Sequence, residues 1–232
     1  MLLAKGDAAM SASLDLNPVL SFLAQLKENN ERPWFQEHRA EYDLARQRFE
    51  LLVGRLIEEF SAFEPLAGVS PEECMMRIYR DVRFSKDKSP YRTAFGASIG
   101  PGGRKSSSFS YYFQLGSHGE SMIAGGLYDP APEQLARFRS AIDSDPGQFK
   151  TVIGAPEFIY YYGTIGGERV KTVPQGYSRD HPEIELLRFK QVVVMHSWAD
   201  EAAIAPGFTS EVVTAAKALK PFLDFLNATV RP

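Results

Sequence analysis

The chain of 232 residues carries one cysteine, Cys74. A lone thiol excludes an internal disulfide and suits a reducing compartment. Long apolar runs are missing as well. The best are Val192–Met195 and Ala202–Ala205, far below the roughly 18–20 residues of a spanning helix, so no membrane segment is expected. The start, Met1-Leu2-Leu3-Ala4-Lys5-Gly6-Asp7, lacks the basic opening and the roughly 7–15-residue apolar core of a secretory signal. These absences predict a soluble, cytoplasmic protein, in which the Asn227-Ala228-Thr229 sequon is a chance match. Charge of one sign is not in excess: 26 Lys and Arg stand against 29 Asp and Glu, for a net −3. That argues against a uniformly basic nucleic-acid binder and against an acidic tail.

Chemical signatures are equally scarce. The four histidines, His38, His118, His181 and His196, form no HxxxH, HExxH or HxH pair, and Cys74 has no CxxC partner. No metal site and no cofactor are expected. Neither a GxSxG elbow nor a GxGxxG fingerprint occurs. The loop at 100–106 contains Arg104-Lys105-Ser106, but Arg104 stands where a phosphate loop needs glycine before the lysine. The same loop joins two strands, whereas a phosphate loop leads into a helix, so it reads as a mobile hairpin connection.

What is present is an ordinary globular composition, 44% hydrophobic and 24% charged. An Ala- and Ser-rich extension is expected at 1–13, and one domain over 14–232. Asn17-Pro18 opens a helix that carries Leu20, Phe22, Leu23 and Leu26 and stops at Asn29-Asn30. Pro33 starts a longer helix, with Trp34, His38, Tyr42, Ala45, Phe49, Leu52, Leu56 and Phe60 on one stripe, running antiparallel to the first. His38 on that stripe reads as a core imidazole.

The period then changes to two. Met76, Ile78, Val82 and Phe84 alternate with Arg77, Tyr79, Asp81 and Arg83, which predicts a half-buried strand with Arg80 as the exception on its apolar face. Further strands are expected over 91–99, 109–115 and 122–128, joined by Gly-rich turns into an antiparallel meander. Alternation puts Tyr111 and Phe113 in the core and Tyr112 outward, and Gly125-Gly126 suggests a bulge. Beyond these come a helix from Pro132, a hairpin of 158–165 with 170–173, a short helix over 181–188 and a strand over 191–196. A C-terminal helix through Asn227 follows, which Pro221 should kink or divide. The fold class is α+β: an N-terminal helical pair, a central mostly antiparallel meander sheet, and a C-terminal helix packed on the sheet.

One segment stands apart. In residues 77–92, six bases (Arg77, Arg80, Arg83, Lys86, Lys88, Arg92) against two acids (Asp81, Asp87) give +4, so with the whole chain at −3 the remainder carries −7. Guanidinium forks, ammonium groups and hydroxyls gathered on one strand and turn could hold a phosphate or carboxylate. Arg77, Tyr79, Arg80, Arg83, Lys86, Lys88 and Tyr128 are the candidate ligand residues, and Asp81 is the one nearby group able to carry a proton. Arg188 and Lys190 are either helix-end bases or further anion ligands. The plain alternative is a solvated strand face with structural ion pairs. A second alternative is nucleic acid bound through the same bases, which the acidic remainder disfavours.

Three stretches resemble a known family: Asn29-Asn30-x-Arg32-x-Trp34-Phe35, the run from Arg77 to Tyr91, and Gly125-Gly126-Leu127-Tyr128, with further likeness from Gly176-Tyr177 to Lys190. They are similar to the family catalogued as domain of unknown function 2461, across about Asn17 to Asn227. The resemblance implies one soluble domain and brings no catalytic residue, cofactor or mechanism with it. The expectation is therefore a domain that binds a small anionic or phosphorylated ligand. Whether chemistry follows, and the oligomeric state, stay open.

Overall fold

The computed structural model describes residues 14–230; the expected extension at 1–13 lies outside them. Helix α1 (Asn17–Glu28) begins with Pro18 in its first turn, where a missing N–H costs nothing, and buries Val19, Leu20, Phe22, Leu23 and Leu26. The long helix expected from Pro33 is two helices, α2 (Arg32–Glu37) and α3 (Arg39–Phe60). The break falls at His38 (φ −101, ψ 24). Its ring stacks on Trp34 at 4.1 Å, and its Nδ1 lies 2.9 Å from the Trp34 carbonyl oxygen.

A one-turn helix, α4 (Pro71–Cys74), leads to the sheet, whose strands are β1 (Ala94–Ile99), β2 (Tyr111–Gly116), β3 (Ser121–Leu127) and β4 (Val192–Trp198). They lie in the order β1-β2-β3-β4, every neighbour antiparallel, as the meander reading expects. Between β3 and β4 come α5 (Pro132–Ser144), α6 (Pro146–Ile153), α7 (Pro156–Tyr162) and α8 (Ile184–Leu187); α9 (Asp200–Ile204) and α10 (Phe208–Thr229) follow.

Alternation along the strands creates two unlike faces. Phe95, Ala97, Tyr111, Phe113, Leu115 and Ile123 are buried toward the helices. Phe49 of α3 stacks on Phe95 at 5.3 Å and on Phe113 at 6.1 Å, and Phe208 of α10 meets Phe113 at 6.3 Å. The opposite face carries Gly96, Tyr112, Gln114, Met122, Ala124 and Met195. Met195 is 54% exposed there.

Several expected elements differ. The strand over 76–84 is not continuous: only the isolated bridges Met75–Ala97 and Tyr79–Tyr91 join it to its neighbour. Between these bridges 76–78 must face 92–96, so the ladder loses register and cannot propagate. Phe84, expected on a half-buried face, is 96% exposed. The hairpin expected over 158–173 is instead α7 followed by irregular chain. Pro156 in the first turn favours the helix, and Phe158 and Tyr162, four residues apart, share its buried face. Phe158 reaches Phe222, and the Tyr162 hydroxyl donates to the Ala215 carbonyl at 2.7 Å. Pro221 does not divide α10, because it sits on the exposed side where water can satisfy the carbonyl left free. The 100–106 loop is tied down: Arg104 Nη1 donates to the carbonyls of Glu72 at 2.7 Å and Met75 at 2.6 Å. Asn227 of the sequon is occupied, accepting from the Phe109 N–H at 2.9 Å and donating to its carbonyl at 3.0 Å.

No bulge forms at Gly125-Gly126, since the β3–β4 register runs unbroken through both. A Cβ on Gly125 would lie 3.0 Å from both Leu219 and Leu223 of α10, so this glycine lets the helix approach the sheet. Gly126 has φ +135. Replacing Gly125 by valine, a better strand former, should nonetheless destabilise the protein by about 1–3 kcal/mol through overpacking. Urea denaturation measures this, and an unchanged midpoint would show that α10 can retreat without cost.

Candidate ligand-binding site

The basic segment is placed by its contacts with the helical pair. Arg80 N–H donates to the Pro90 carbonyl at 2.9 Å and Arg92 N–H to the Ile78 carbonyl at 2.8 Å, making a short two-stranded ribbon. The outer edge of this ribbon at Tyr91 is closed by a side chain from the α1–α2 turn. Asn30 accepts from the Tyr91 N–H at 3.1 Å and donates to the Tyr91 carbonyl at 3.0 Å, as a third strand would. Beneath it, Phe35 of α2 stacks on the Tyr91 ring at 4.0 Å, and Tyr79 lies 5.4 Å from Tyr91. Asn30, Phe35 and Tyr91 belong to the stretches quoted above, which the structure brings into one contact.

The loop beyond the ribbon is organised by its own charges. Arg80, the base on the apolar side of the pattern, pairs with Asp87 and also donates to the Ser89 carbonyl at 3.2 Å and to Ser85 Oγ at 3.5 Å. Asp87 accepts from the Ser89 hydroxyl at 2.6 Å and its N–H at 2.9 Å. Those Ser89 hydrogen bonds, with Arg80 behind them, hold the Asp87 carboxyl far below the usual carboxylate range. Lys88 Nζ donates to the carbonyl of Val82 at 3.0 Å. Arg83 grips Asp81, with Nη2 2.7 Å from Oδ2 and Nε 3.0 Å from Oδ1. This fork lowers the Asp81 pKa and occupies the oxygens a proton carrier would need.

Concave space lies on either side of the ribbon. The larger cleft, 630 Å³, opens between the start of α3, residues 75–79 and β1. Arg46, Arg77, Arg92 and Arg104 line it against one acid, Glu72, with Tyr42, Tyr79 and Phe95 among its walls. A second cleft of 410 Å³ is lined by Arg32, Arg39, Tyr79 and Arg80. A third, of 390 Å³, mixes Lys27, Arg80 and Arg92 with Asp87 and Glu120. Arg104 is held by backbone carbonyls, and Arg46 lies 3.3 Å from Glu50. Among the described residues, no hydrogen bond or ion pair engages the side chains of Arg77 and Arg92.

The candidates named from the sequence therefore separate. Arg77 and Tyr79 share the large cleft, and Arg80 lines the two smaller ones. Arg83, Lys86, Lys88 and Asp81 line none of the three and lie on the loop. Tyr128 is elsewhere, on the open face of the sheet. Arg46 and Arg104 were missed, being 31 residues before and 27 after Arg77; nothing in their local patterns announces a shared cleft. Arg92 was inside the basic segment but was not singled out. Arg188 turns inward on its own surroundings, donating to the Val170 and Lys171 carbonyls at 3.0 and 3.1 Å.

Other reactive groups are engaged. Cys74 is buried, and burial pushes its thiol up and away from the thiolate. His181 lies 2.9 Å from Asp143 through Nε2, but its Nδ1 accepts the Glu183 N–H at 3.0 Å, so neither ring nitrogen is available as a base. Among the described residues no three His, Cys, Asp or Glu side chains are grouped to hold a metal ion, and no helix is long and apolar enough to cross a membrane.

Because Asp87 orders the loop, Asp87→Ala should make Lys86 and Lys88 preferred sites of tryptic cleavage at neutral pH. An unchanged cleavage rate would show that other contacts suffice. The carboxyl is depressed in the folded state, so its contribution is complete above the ordinary value of about 3.9 and fades as pH falls below it. Hydrogen-exchange protection of the Ser89 N–H should fall over that acid range.

The chain matches the family model described as a conserved hypothetical protein (DUF2461) over residues 18–225. No curated protein and no solved structure matches it. The matched region spans α1 to the last turns of α10 and so contains the ribbon, its anchor and all three clefts. The chain belongs to the DUF2461 family of conserved hypothetical proteins.

Proposed function

We propose that this protein binds a small anionic or phosphorylated ligand in the 630 Å³ cleft beside the ribbon. The observation that carries the reading is the lining itself, four arginines facing one space with a single acidic residue. Guanidinium groups stay charged at any physiological pH and offer paired donors that match phosphate and carboxylate oxygens. Arg104 is pre-oriented by the Glu72 and Met75 carbonyls, which lowers the entropy lost on binding. Arg77 and Arg92 supply charge that no carboxylate in the described chain neutralises by contact. Tyr42, Tyr79 and Phe95 give the cleft apolar walls, as small-molecule sites commonly have. The lone buried cysteine fits the same reading of a cytoplasmic protein.

Thermal-shift measurements with a panel of phosphorylated and carboxylated metabolites test the proposal. A ligand at 100 times its Kd adds about 2.7 kcal/mol, a readily visible shift. That shift should disappear in the Arg77→Ala/Arg92→Ala double variant, whose own unfolding midpoint should stay near the wild-type value because neither side chain is ion-paired. If no anion shifts the wild-type midpoint, the reading fails. If an oligonucleotide binds instead, with an affinity that collapses between about 50 and 200 mM salt, the same bases serve nucleic acid and the small-ligand reading falls.

A further inference from the structure

Two residues of the large cleft have a second exposure. Arg92 and Met76 also line a separate trough of 580 Å³ on the open face of the sheet. The chemistry changes abruptly along this path. Arg92 is the one charged side chain in the trough, whose lining otherwise includes Met122, Met195, Ala124, Tyr112 and Tyr128.

The floor is shallow for identifiable reasons. Ala124 and Gly126, both lining it from β3, carry a methyl group and no side chain, respectively. Alternation forces all these residues to the side that α3 and α10 do not cover. The trough is therefore apolar, with Arg92 its one charged wall. Its three methionines are polarisable and adaptable, a lining that favours the edges and faces of aromatic rings.

We propose that the ligand is an aromatic anion, with its charged group among Arg77, Arg92 and the neighbouring arginines and its ring laid on the sheet between Tyr112, Met122 and Met195. This rests on the anion-binding reading above and adds the chemical class of the ligand's body. One arginine at the junction dictates the polarity of the fit, charge toward the ribbon and ring toward β4.

Calorimetric titration of the full chain with three probes separates the possibilities: inorganic phosphate, butyl phosphate and phenyl phosphate. Phenyl phosphate should bind at least tenfold more tightly than either of the others. Met195→Asp places a carboxylate in the trough at a position already 54% exposed, so folding should be unaffected. It should remove the tenfold preference while leaving inorganic phosphate affinity unchanged. Ala124→Leu, which raises the floor, should do the same. Equal affinities for phenyl phosphate and phosphate would overturn the trough as part of the site while leaving the anion cleft intact. Equal affinities for the phenyl and butyl esters would overturn the aromatic specificity. If none of the three binds and the wider anion panel also fails, the anion-binding reading itself falls and this proposal with it.

Discussion

The Asn30 carboxamide holding both backbone groups of Tyr91 is the contact on which the rest of the site depends. Each of these hydrogen bonds contributes only about 1 kcal/mol net, and the Phe35–Tyr91 stack about 0.5–1.5 kcal/mol beyond its buried area. Their weight is geometric. The 78–80/90–92 ribbon is too short to be stable alone, and its register with β1 is broken. Fastened to the α1–α2 turn, it is held along the sheet's β1 edge at a fixed height. Clefts then open on either side of it, and the arginines it carries face defined space instead of sweeping through solvent.

The second constraint is the one-sided covering of the sheet. Helices α1, α3 and α10 bury the face bearing Phe95, Phe113 and Ile123, which secures the core. The other face is left with small and flexible residues, Gly96, Ala124, Met122 and Met195. An antiparallel sheet tolerates this because its ladder is complete without a covering layer. The same asymmetry brings a polar, arginine-lined cleft and an apolar trough together at the single edge where the ribbon lies. Within the basic segment, charges divide by role. Arg80, Arg83 and Lys88 satisfy the loop's own carboxylates and carbonyls, whereas Arg77 and Arg92, held by no such contact, line the large cleft.

Much of this was legible in the chain. The α+β class, the meander, the outward Tyr112 against the buried Tyr111 and Phe113, and the family resemblance all followed from local period and motif. Each is a property of a few consecutive residues with one dominant driving force, the burial of an apolar face. Expectations failed where two local forces competed. Residues 76–84 alternate like a strand but must pair with 92–96 out of register, so only bridges form. Residues 158–165 are rich in aromatic strand formers, yet Phe158 and Tyr162 are better buried from a helix against α10. At His38 the backbone leaves helical geometry and divides a stripe that reads as continuous.

Sequence alone determined which bases are concentrated between 77 and 92. It could not say which of them are already engaged. That depends on where Asp87 and Asp81 fold back, on Asn30 from about sixty residues away, and on Arg46 and Arg104 arriving from α3 and the β1–β2 connection. Local patterns record the periodicity of burial because neighbours along the chain share a surface. A cleft is assembled from segments that meet only through long-range packing, and that assembly was decided by the tertiary structure.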